Sequence, residues 1–165
     1  MNNKIRNRHR LKNKRIREIQ DLVEKNFSDI IFDENSVFEI GDVNDSMIIF
    51  IDELPCFKLE DNEYIITLAA VNKYKPKGKY VIVDMGAVKF VTNGADVMAP
   101  GIVNADSNIS VDDQVWICDE KHHKPLAVGI ALKDGPEMIE SDKGKAVRII
   151  NYVGDWLWNF SAKSL

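Results

Sequence analysis

The sequence has little cysteine and no long apolar run. Cys56 and Cys118 are its two cysteines among 165 residues, and they form no CxxC pair. So little cysteine excludes a disulfide-stabilised secreted scaffold and favours two buried thiols in a reducing compartment. No stretch approaches the roughly 18 apolar residues of a membrane span, and the N-terminus lacks the apolar segment of a secretory signal. We therefore expect a cytoplasmic protein without a membrane partner.

Motifs for catalysis, cofactors and metals are also missing. Neither Gly-x-x-x-x-Gly-Lys nor Gly-x-Gly-x-x-Gly occurs, and the carboxylates of the N-terminal half have no His, Ser or Cys at a catalytic spacing. Cys118, His122 and His123 match no zinc motif, because adjacent residues of an extended chain point apart and the histidines fall at a predicted hairpin tip. The sequence therefore predicts a protein that is not an enzyme and uses neither a cofactor nor a metal.

Charge is spread unevenly along the chain. Residues 1–17 carry eight Lys or Arg and no acid, residues 18–63 carry two basic and fourteen acidic residues, and residues 64–165 carry twelve of each. The formal net charge of −4 therefore hides a basic arm, an acidic middle and a balanced C-terminal half. Such an arm contacts phosphates or another macromolecule, or is a solvated surface without a ligand, and both interpretations stay open.

Periodicity predicts an α+β first domain over residues 1–72. The arm leads into an amphipathic helix whose apolar stripe comprises Leu11, Ile16, Ile19, Leu22, Val23 and Phe27. From Ser36 the apolar residues alternate in short runs that predict an antiparallel meander. The segment from Tyr64 to Tyr74 begins as a strand and becomes a short helix.

A lysine-rich segment over residues 73–78 is the predicted linker. If it is extended, alternate residues lie on one side, and these are Lys73, Lys75, Lys77 and Lys79. This arrangement predicts a basic track that runs into the next strand and helix. A soluble linker without a ligand is the alternative that its composition leaves open.

The stretch GAVKFVTNGADVMAPGI, residues 86–102, predicts a short helix, a turn and a strand. Asp84 is the expected N-cap, and Gly94 is expected to end the helix at positive φ. The inward face comprises Ala87, Phe90 and Val91, and the opposite ridge comprises Gly86, Lys89 and Asn93. Later segments predict a hairpin around residues 120–124, a helix with Pro136 in its first turn and two further strands. The last strand places Trp156 and Trp158 on one face.

The segment VDMGAVKFVTNGADVMAPGI, residues 83–102, resembles the signature of the PUA domain, an RNA-binding module. The segments ISVDDQVWI, AVGIAL and GKAVRIINYVGDWLW follow in the order that this domain requires. The two-domain arrangement resembles the malignant-T-cell-amplified protein family, whose relatives include the N-terminal part of ligatin. This resemblance implies a small N-terminal α+β pre-PUA domain followed, over residues 79–160, by a PUA pseudo-barrel of mixed strands with two short helices.

The resemblance also implies a function: binding of the tRNA acceptor end during translation initiation or recycling on the small ribosomal subunit, beside a partner with an initiation-factor-like domain. Carried over by position, the RNA-binding residues are Lys89, Asn93, Gly94, Ala95 and Met98, with Trp156 and Trp158; Gly86 and the four linker lysines join them. Two alternatives stay open. One is an accessory of tRNA or rRNA modification, and the other is a protein–protein adaptor that uses the acidic first domain.

Two finer expectations concern the predicted RNA surface. Gly94 should expose the N–H groups of the next two residues to a phosphate beside Lys89, with a base or ribose over Gly94 and Ala95. Replacing His122 and His123 with Ala should leave stability and RNA binding nearly unchanged, because surface hairpin changes cost about 0.5 kcal/mol or less.

Overall fold

A computed structural model of the protein describes residues 4–164. Its N-terminal part is a five-stranded antiparallel sheet in the order β1-β2-β3-β4-β5. The strands are β1 (Arg6–Arg10), β2 (Phe38–Val43), β3 (Ser46–Ile51), β4 (Leu54–Glu60) and β5 (Glu63–Ile66). The helix α1 (Asn13–Asn26) buries Ile19 and Val23 in the core of this domain, and α2 (Leu68–Tyr74) follows the last strand.

Two-residue turns set the meander. The pairs Asn44–Asp45, Asp52–Glu53 and Asp61–Asn62 all have positive φ, as type I′ hairpin turns require, and Asn and Asp tolerate this conformation better than most residues. The meander and the strand-to-helix change between Tyr64 and Tyr74 therefore agree with the sequence-based prediction.

The start of the basic arm differs from the prediction, because residues 6–10 form a strand rather than the beginning of the helix. The segment RNRHR has no apolar residue from which a strand could be recognised. It pairs with the acidic β2, and Arg8 donates to Glu39 at 2.9 Å while Arg6 donates to Asp45 at 3.3 Å. Part of the basic arm is therefore neutralised by the acidic middle of the same chain.

The C-terminal part is a six-stranded sheet that nearly closes into a barrel, in the order β7-β11-β10-β9-β6-β8. The strands are β6 (Tyr80–Val83), β7 (Val97–Met98), β8 (Ile102–Ala105), β9 (Gln114–Asp119), β10 (Pro125–Ala131) and β11 (Lys145–Tyr152). Strands β6 and β9 are parallel and the other pairs antiparallel. With the helices α3 (Met85–Val91) and α4 (Gly135–Glu140), this confirms the α+β fold with a mixed pseudo-barrel.

The predicted last strand is wrong: residues Trp156–Ser164 form a helix, α5. Asp155 begins it, because its carboxylate accepts the N–H of Trp158 at 2.7 Å. Leu157 and Phe160 then pack on Val43, Ile48 and Phe50 of the first sheet. The chain therefore returns to the N-terminal domain after it completes the barrel.

Buried amides join the two parts. Gln114 accepts the N–H of Ile66 and donates to the carbonyl of Tyr64, both at 2.9 Å, while Asn151 accepts the N–H of Leu68 at 2.7 Å. Val128 of the barrel belongs to the same buried cluster as the core of the first domain. The domain limits at residues 72 and 79 stay predictions. The two domains on either side of these limits pack directly against each other. Between residues 4 and 164, no helix has the length and apolarity to cross a membrane.

Candidate nucleic-acid interface

A concave surface of about 610 Å³, the groove, lies between α3, the turn after it, β7 and residues 99–101. Gly86 and Phe90 of α3 form one wall, and Met98 and Pro100 form the other. Ala95 of the turn and Lys145 of β11 complete it. Three of the residues predicted from the sequence to bind RNA, Gly86, Ala95 and Met98, therefore line one cavity.

The helix along the groove begins and ends where the sequence predicts. Asp84 accepts the N–H of Ala87 at 2.8 Å, which caps the first turn. At the other end Gly94 donates to the carbonyl of Val91 and Ala95 donates to that of Phe90, both at 3.0 Å. This pair of bonds is the Schellman motif, and Gly94 occupies its left-handed position with φ of +87°.

The expectation for the amides of this turn is wrong in one respect. The N–H groups of Asn93, Gly94 and Ala95 all donate to carbonyls of α3, so they are used to close the helix. Gly94 also packs closely, because a Cβ built on it would lie 2.8 Å from Cε1 of Tyr152. A phosphate near this turn must therefore be bound by side chains rather than by these three amides.

Phe90 was expected to face the core, and the structure corrects this. Its side chain is 63% exposed and lines the groove, while Val91 fills the core position with 1% exposure. A helix of seven residues offers one narrow buried stripe, and Val91 and the half-buried Ala87 and Val88 occupy it. Met98 is also open, with 47% exposure. The groove therefore presents apolar side chains to solvent, as binding surfaces do.

Cations stand at the rim of the groove. Gly86, Lys89 and Asn93 are all exposed, as the predicted ridge requires, and Lys89 has no ion-pair partner among residues 4–164. Lys145 contacts Asp96 at 3.3 Å, and the other oxygen of Asp96 accepts the N–H of Ile149 at 3.0 Å. The backbone thus holds Asp96 in place, and Lys145 remains largely exposed beside the apolar walls.

The linker lysines do not form the predicted one-sided track. Lys73 lies in the last turn of α2, and Lys75 and Lys79 have left-handed φ values of 49° and 63°, which break an extended alternation. Lys79 forms a half-buried ion pair with Asp113 and donates to the carbonyl of Asn108. Lys73, Lys75 and Lys77 remain exposed. Local charge pairing, which periodicity does not report, decides these positions.

The two tryptophans do not share a face. Residues two apart in a helix are separated by about 200° around its axis, so the two rings point in nearly opposite directions. Trp156 packs on the cluster that contains Phe50 and Phe160, and Trp158 packs on the core of the first domain. Both rings are half-buried. Their role in RNA binding stays a prediction, without the shared strand face that suggested it.

The thiols are buried and unreactive in character. Burial raises the pKa of Cys56 to about 12, and burial likewise raises the pKa of Cys118 to about 12, with the Asp119 carboxylate adding to the effect. Neither thiol is therefore a thiolate at neutral pH. No group of three or more His, Cys, Asp or Glu side chains that could hold a metal occurs in the described chain, residues 4–164.

Sequence reasoning missed Lys145, Pro100 and Gly101 as groove residues. Lys145 reaches the groove because β11 pairs with β7, which places it opposite Met98. That pairing joins segments almost fifty residues apart and leaves no local signal. Pro100 and Gly101 stood inside the recognised signature, and Gly101 packs on Ala87, where a Cβ would lie 3.0 Å away.

Two family models match the chain. The model of the PUA domain matches residues 79–153, and a model described as a domain of unknown function, DUF1947, matches residues 7–74. Together they cover both sheets. The barrel with its groove is thus the PUA domain, the RNA-binding module that the signature predicted.

Curated relatives extend over one or both domains. Uncharacterized protein MJ1432 of Methanocaldococcus jannaschii is 46% identical over 94% of this chain and 98% of that protein. Translation machinery-associated protein 20 of Schizosaccharomyces pombe is 34% identical over 64% of this chain and 61% of that protein. Malignant T-cell-amplified sequence 1 of Rattus norvegicus is 31% identical over 65% and 60%. The matched region spans about three fifths of each of these two eukaryotic relatives.

A solved structure shares the whole fold. The crystal structure of hypothetical protein PH0734.1 from Pyrococcus horikoshii OT3 matches with a TM-score of 0.83 and 33% identity, over 93% of this chain and 99% of that one. The sequence-based resemblance is confirmed by these matches. The chain therefore belongs to the family of PUA-domain RNA-binding proteins in which a pre-PUA domain comes first, the family of the malignant-T-cell-amplified proteins.

Proposed function

We propose that the protein binds the unpaired acceptor end of tRNA in the groove. The observation that carries this proposal is the open side chain of Phe90, 63% exposed in a cavity of about 610 Å³ with Lys145 at its edge. Unpaired bases stack on aromatic rings, and the volume lies within the range of about 300–1,000 Å³ that suits small ligands. Lys89 and Lys145 are placed to contact the phosphates between such bases.

The shape of the groove favours single-stranded RNA over a duplex. A duplex offers proteins its phosphates and 2′-hydroxyls, whereas its bases stay paired and stacked. The groove is concave and largely apolar, so it makes few favourable contacts with the phosphates and hydroxyls of a duplex. It does accommodate the edge of an unpaired base against Gly86 and Ala95. A free 3′ end fits because it enters the groove without unpairing.

The cellular setting belongs to the same proposal. A relative named for its association with the translation machinery supports a role in translation. We place the protein on the small ribosomal subunit during initiation or recycling, beside a partner with an initiation-factor-like domain. Recovery of the protein with small subunits, rather than only with free tRNA, separates this function from that of an accessory in RNA modification.

The test measures the affinity of wild-type protein and Phe90→Ala for intact tRNA and for tRNA that lacks its unpaired 3′ nucleotides. Base–aromatic stacking contributes about 1–3 kcal/mol per base, so Phe90→Ala should weaken binding of intact tRNA by roughly fivefold or more. Shortened tRNA should bind both proteins equally weakly. The control is Ile139→Ala, which removes an exposed apolar side chain of α4. Equal binding of intact and shortened tRNA by the wild type would refute the proposal.

A further inference from the structure

A second concave surface, the cleft, lies where the first domain meets the barrel. It has a volume of about 300 Å³ between the C-terminal end of α2 and the β9–β10 hairpin. Trp116, Pro76 and Pro125 supply its apolar lining, Lys75 supplies a cation, and His123 supplies an imidazole ring. We propose that this cleft binds a base of the same RNA whose 3′ end occupies the groove, an inference that rests on the proposed function.

The ring of Trp116 is fixed in place before any ligand arrives. Its Nε1–H donates to the carbonyl of Gly78 at 2.8 Å, and its other contacts are with the buried cluster of the first domain. The side chain is half-buried and still lines the cleft. Because the ring is already fixed, stacking a base on it costs little conformational entropy of the protein. Any of the four bases can stack on such a ring.

Charge in the cleft suits a nucleic acid. Among its lining residues, all within the described chain, are Lys75 and His123 but no carboxylate. The charged residues that line another opening, between α1 and the turn after β4, are four acids and one lysine: Glu18, Glu63, Asp112, Asp113 and Lys25. A phosphate is attracted to the first surface and repelled by the second. The difference between the two openings selects the cleft in this net-acidic protein.

The two polar side chains of the cleft, Lys75 and His123, are held by an unusual backbone. Lys75 and His123 both have left-handed φ, at 49° and 51°. The hairpin that carries His123 is closed by buried Asp119, whose carboxylate accepts the N–H groups of Lys124 at 2.8 Å and His122 at 3.2 Å. These bonds set the hairpin against the end of α2, so the rim of the cleft is formed in the free protein.

The same hairpin connects the cleft with the groove. Parallel pairing sets Val83 beside Asp119, and Glu120 accepts the N–H of Met85, the first residue of α3, at 3.3 Å. Lys121 and Lys124 are exposed along this hairpin. A strand of RNA that leaves the groove past Met85 and follows this hairpin passes Glu120 and then Lys121 and Lys124 before it reaches the cleft. This path revises the expectation from the sequence that His123 takes no part in RNA binding.

The experiment uses single-stranded RNAs that end in the CCA sequence of tRNA and increase in length from three to ten nucleotides. Their affinities are measured for wild-type protein and for the double variant Lys75→Asn, His123→Asn. Asn keeps the left-handed backbone at modest strain and removes the ammonium of Lys75 and the imidazole of His123. We expect unchanged binding of the shortest RNAs and a loss of roughly five- to tenfold once the RNA is long enough to reach the cleft. Lys163→Asn, at an exposed lysine of α5, is the matched control.

A direct readout accompanies the affinities. The indole N–H signal of Trp116 in an NMR spectrum should shift with the longer RNAs and not with the shortest. Wild-type affinity of the double variant at every length, or an unmoved Trp116 signal, would overturn the inference. So would a proline-rich peptide that shifts this signal when RNA does not, because the cleft would then bind protein. Phe90→Ala separates the two proposals. Weaker binding of this variant at every RNA length supports the groove, whereas a loss in the double variant that begins only at longer RNAs supports the cleft.

Discussion

Two glycines beside the groove have opposite surroundings. Gly94 has φ of +87°, and a Cβ there would meet the ring of Tyr152. Gly86 has an ordinary helical backbone, and the nearest atom to its Cβ would be Oδ1 of Asp84, at 3.3 Å. The first glycine is required by the turn, whereas the second leaves room in the groove. A test of RNA binding is therefore cleaner at Gly86 than at Gly94, the position that the sequence favoured.

The paired substitutions Gly94→Ala and Gly86→Gln follow from this difference. Gly94→Ala should lower the free energy of unfolding by at least about 1–2 kcal/mol through backbone strain alone. Gly86→Gln should stay within about 1 kcal/mol of wild type, because a helix prefers Gln to Gly and this gain offsets the close contact with Asp84. It should nevertheless weaken tRNA binding roughly fivefold by displacing a stacked base.

Urea unfolding and tRNA titration of both variants supply the check. Wild-type affinity in a folded Gly86→Gln variant would show that no RNA lies in the groove. An unchanged free energy of unfolding for Gly94→Ala would contradict the strain assigned to that turn.

At the scale of elements, α5 ties the barrel to the first sheet. Leu157 and Phe160 are 2% and 7% exposed, and the ring of Phe160 meets that of Phe50 edge to face at 6.2 Å between centroids. Without this helix the outer face of β2 and β3 would expose Val43, Ile48 and Phe50 to water. Leu157 and Phe160 are therefore part of the core, although they follow the family's PUA segment in the chain.

Phe160→Ala should destabilise the protein by about 3–5 kcal/mol, the cost typical of removing a buried phenylalanine. Lys163→Ala on the same helix should change stability by no more than about 0.5 kcal/mol, because this lysine is exposed. Thermal and urea unfolding of the two variants test the difference. Similar stabilities would mean that α5 does not cover the sheet in solution.

At the scale of the whole molecule, the two domains meet at a packed and hydrogen-bonded interface. Gln114 satisfies both the N–H of Ile66 and the carbonyl of Tyr64, and Asn151 satisfies the N–H of Leu68. Buried backbone groups left without partners cost about 1–3 kcal/mol each. These bonds therefore hold the barrel and the first domain in one relative arrangement.

We predict that the wild type unfolds in one transition. All three tryptophans pack from the barrel or α5 against buried clusters of the first domain, so their fluorescence reports the contact between the two parts, while circular dichroism reports the secondary structure of both. The two signals should change at the same urea concentration. Gln114→Leu should cost on the order of 2–4 kcal/mol, because it leaves two buried backbone groups unpaired. Gln20→Leu, at an exposed position of α1, serves as the control. Separate transitions in the wild type would show that this interface does not couple the two domains.

Much of this protein was determined by local sequence. Asp84 and Gly94 mark the two ends of α3, Asn44–Asp45 marks the first hairpin turn, and alternation marks the meander, whereas Gly41–Asp42 and Pro55, also expected to separate strands, lie inside β2 and β4. These features depend on residues within a few positions of each other, so the sequence reports them directly. The signature from Val83 to Ile102 was likewise contiguous, which is why the RNA-binding module could be identified before its groove was seen.

Only the tertiary structure decided the contacts between segments that are far apart in the sequence. Lys79 pairs with Asp113, β1 pairs with acidic β2, and α5 packs on a sheet that lies a hundred residues earlier. An apolar residue such as Phe90 has the same sequence signal whether it faces a core or a ligand, because periodicity records a face and not what covers it. What covers each face depends on chain segments far apart in sequence, and so the groove and the cleft became visible only in the folded protein.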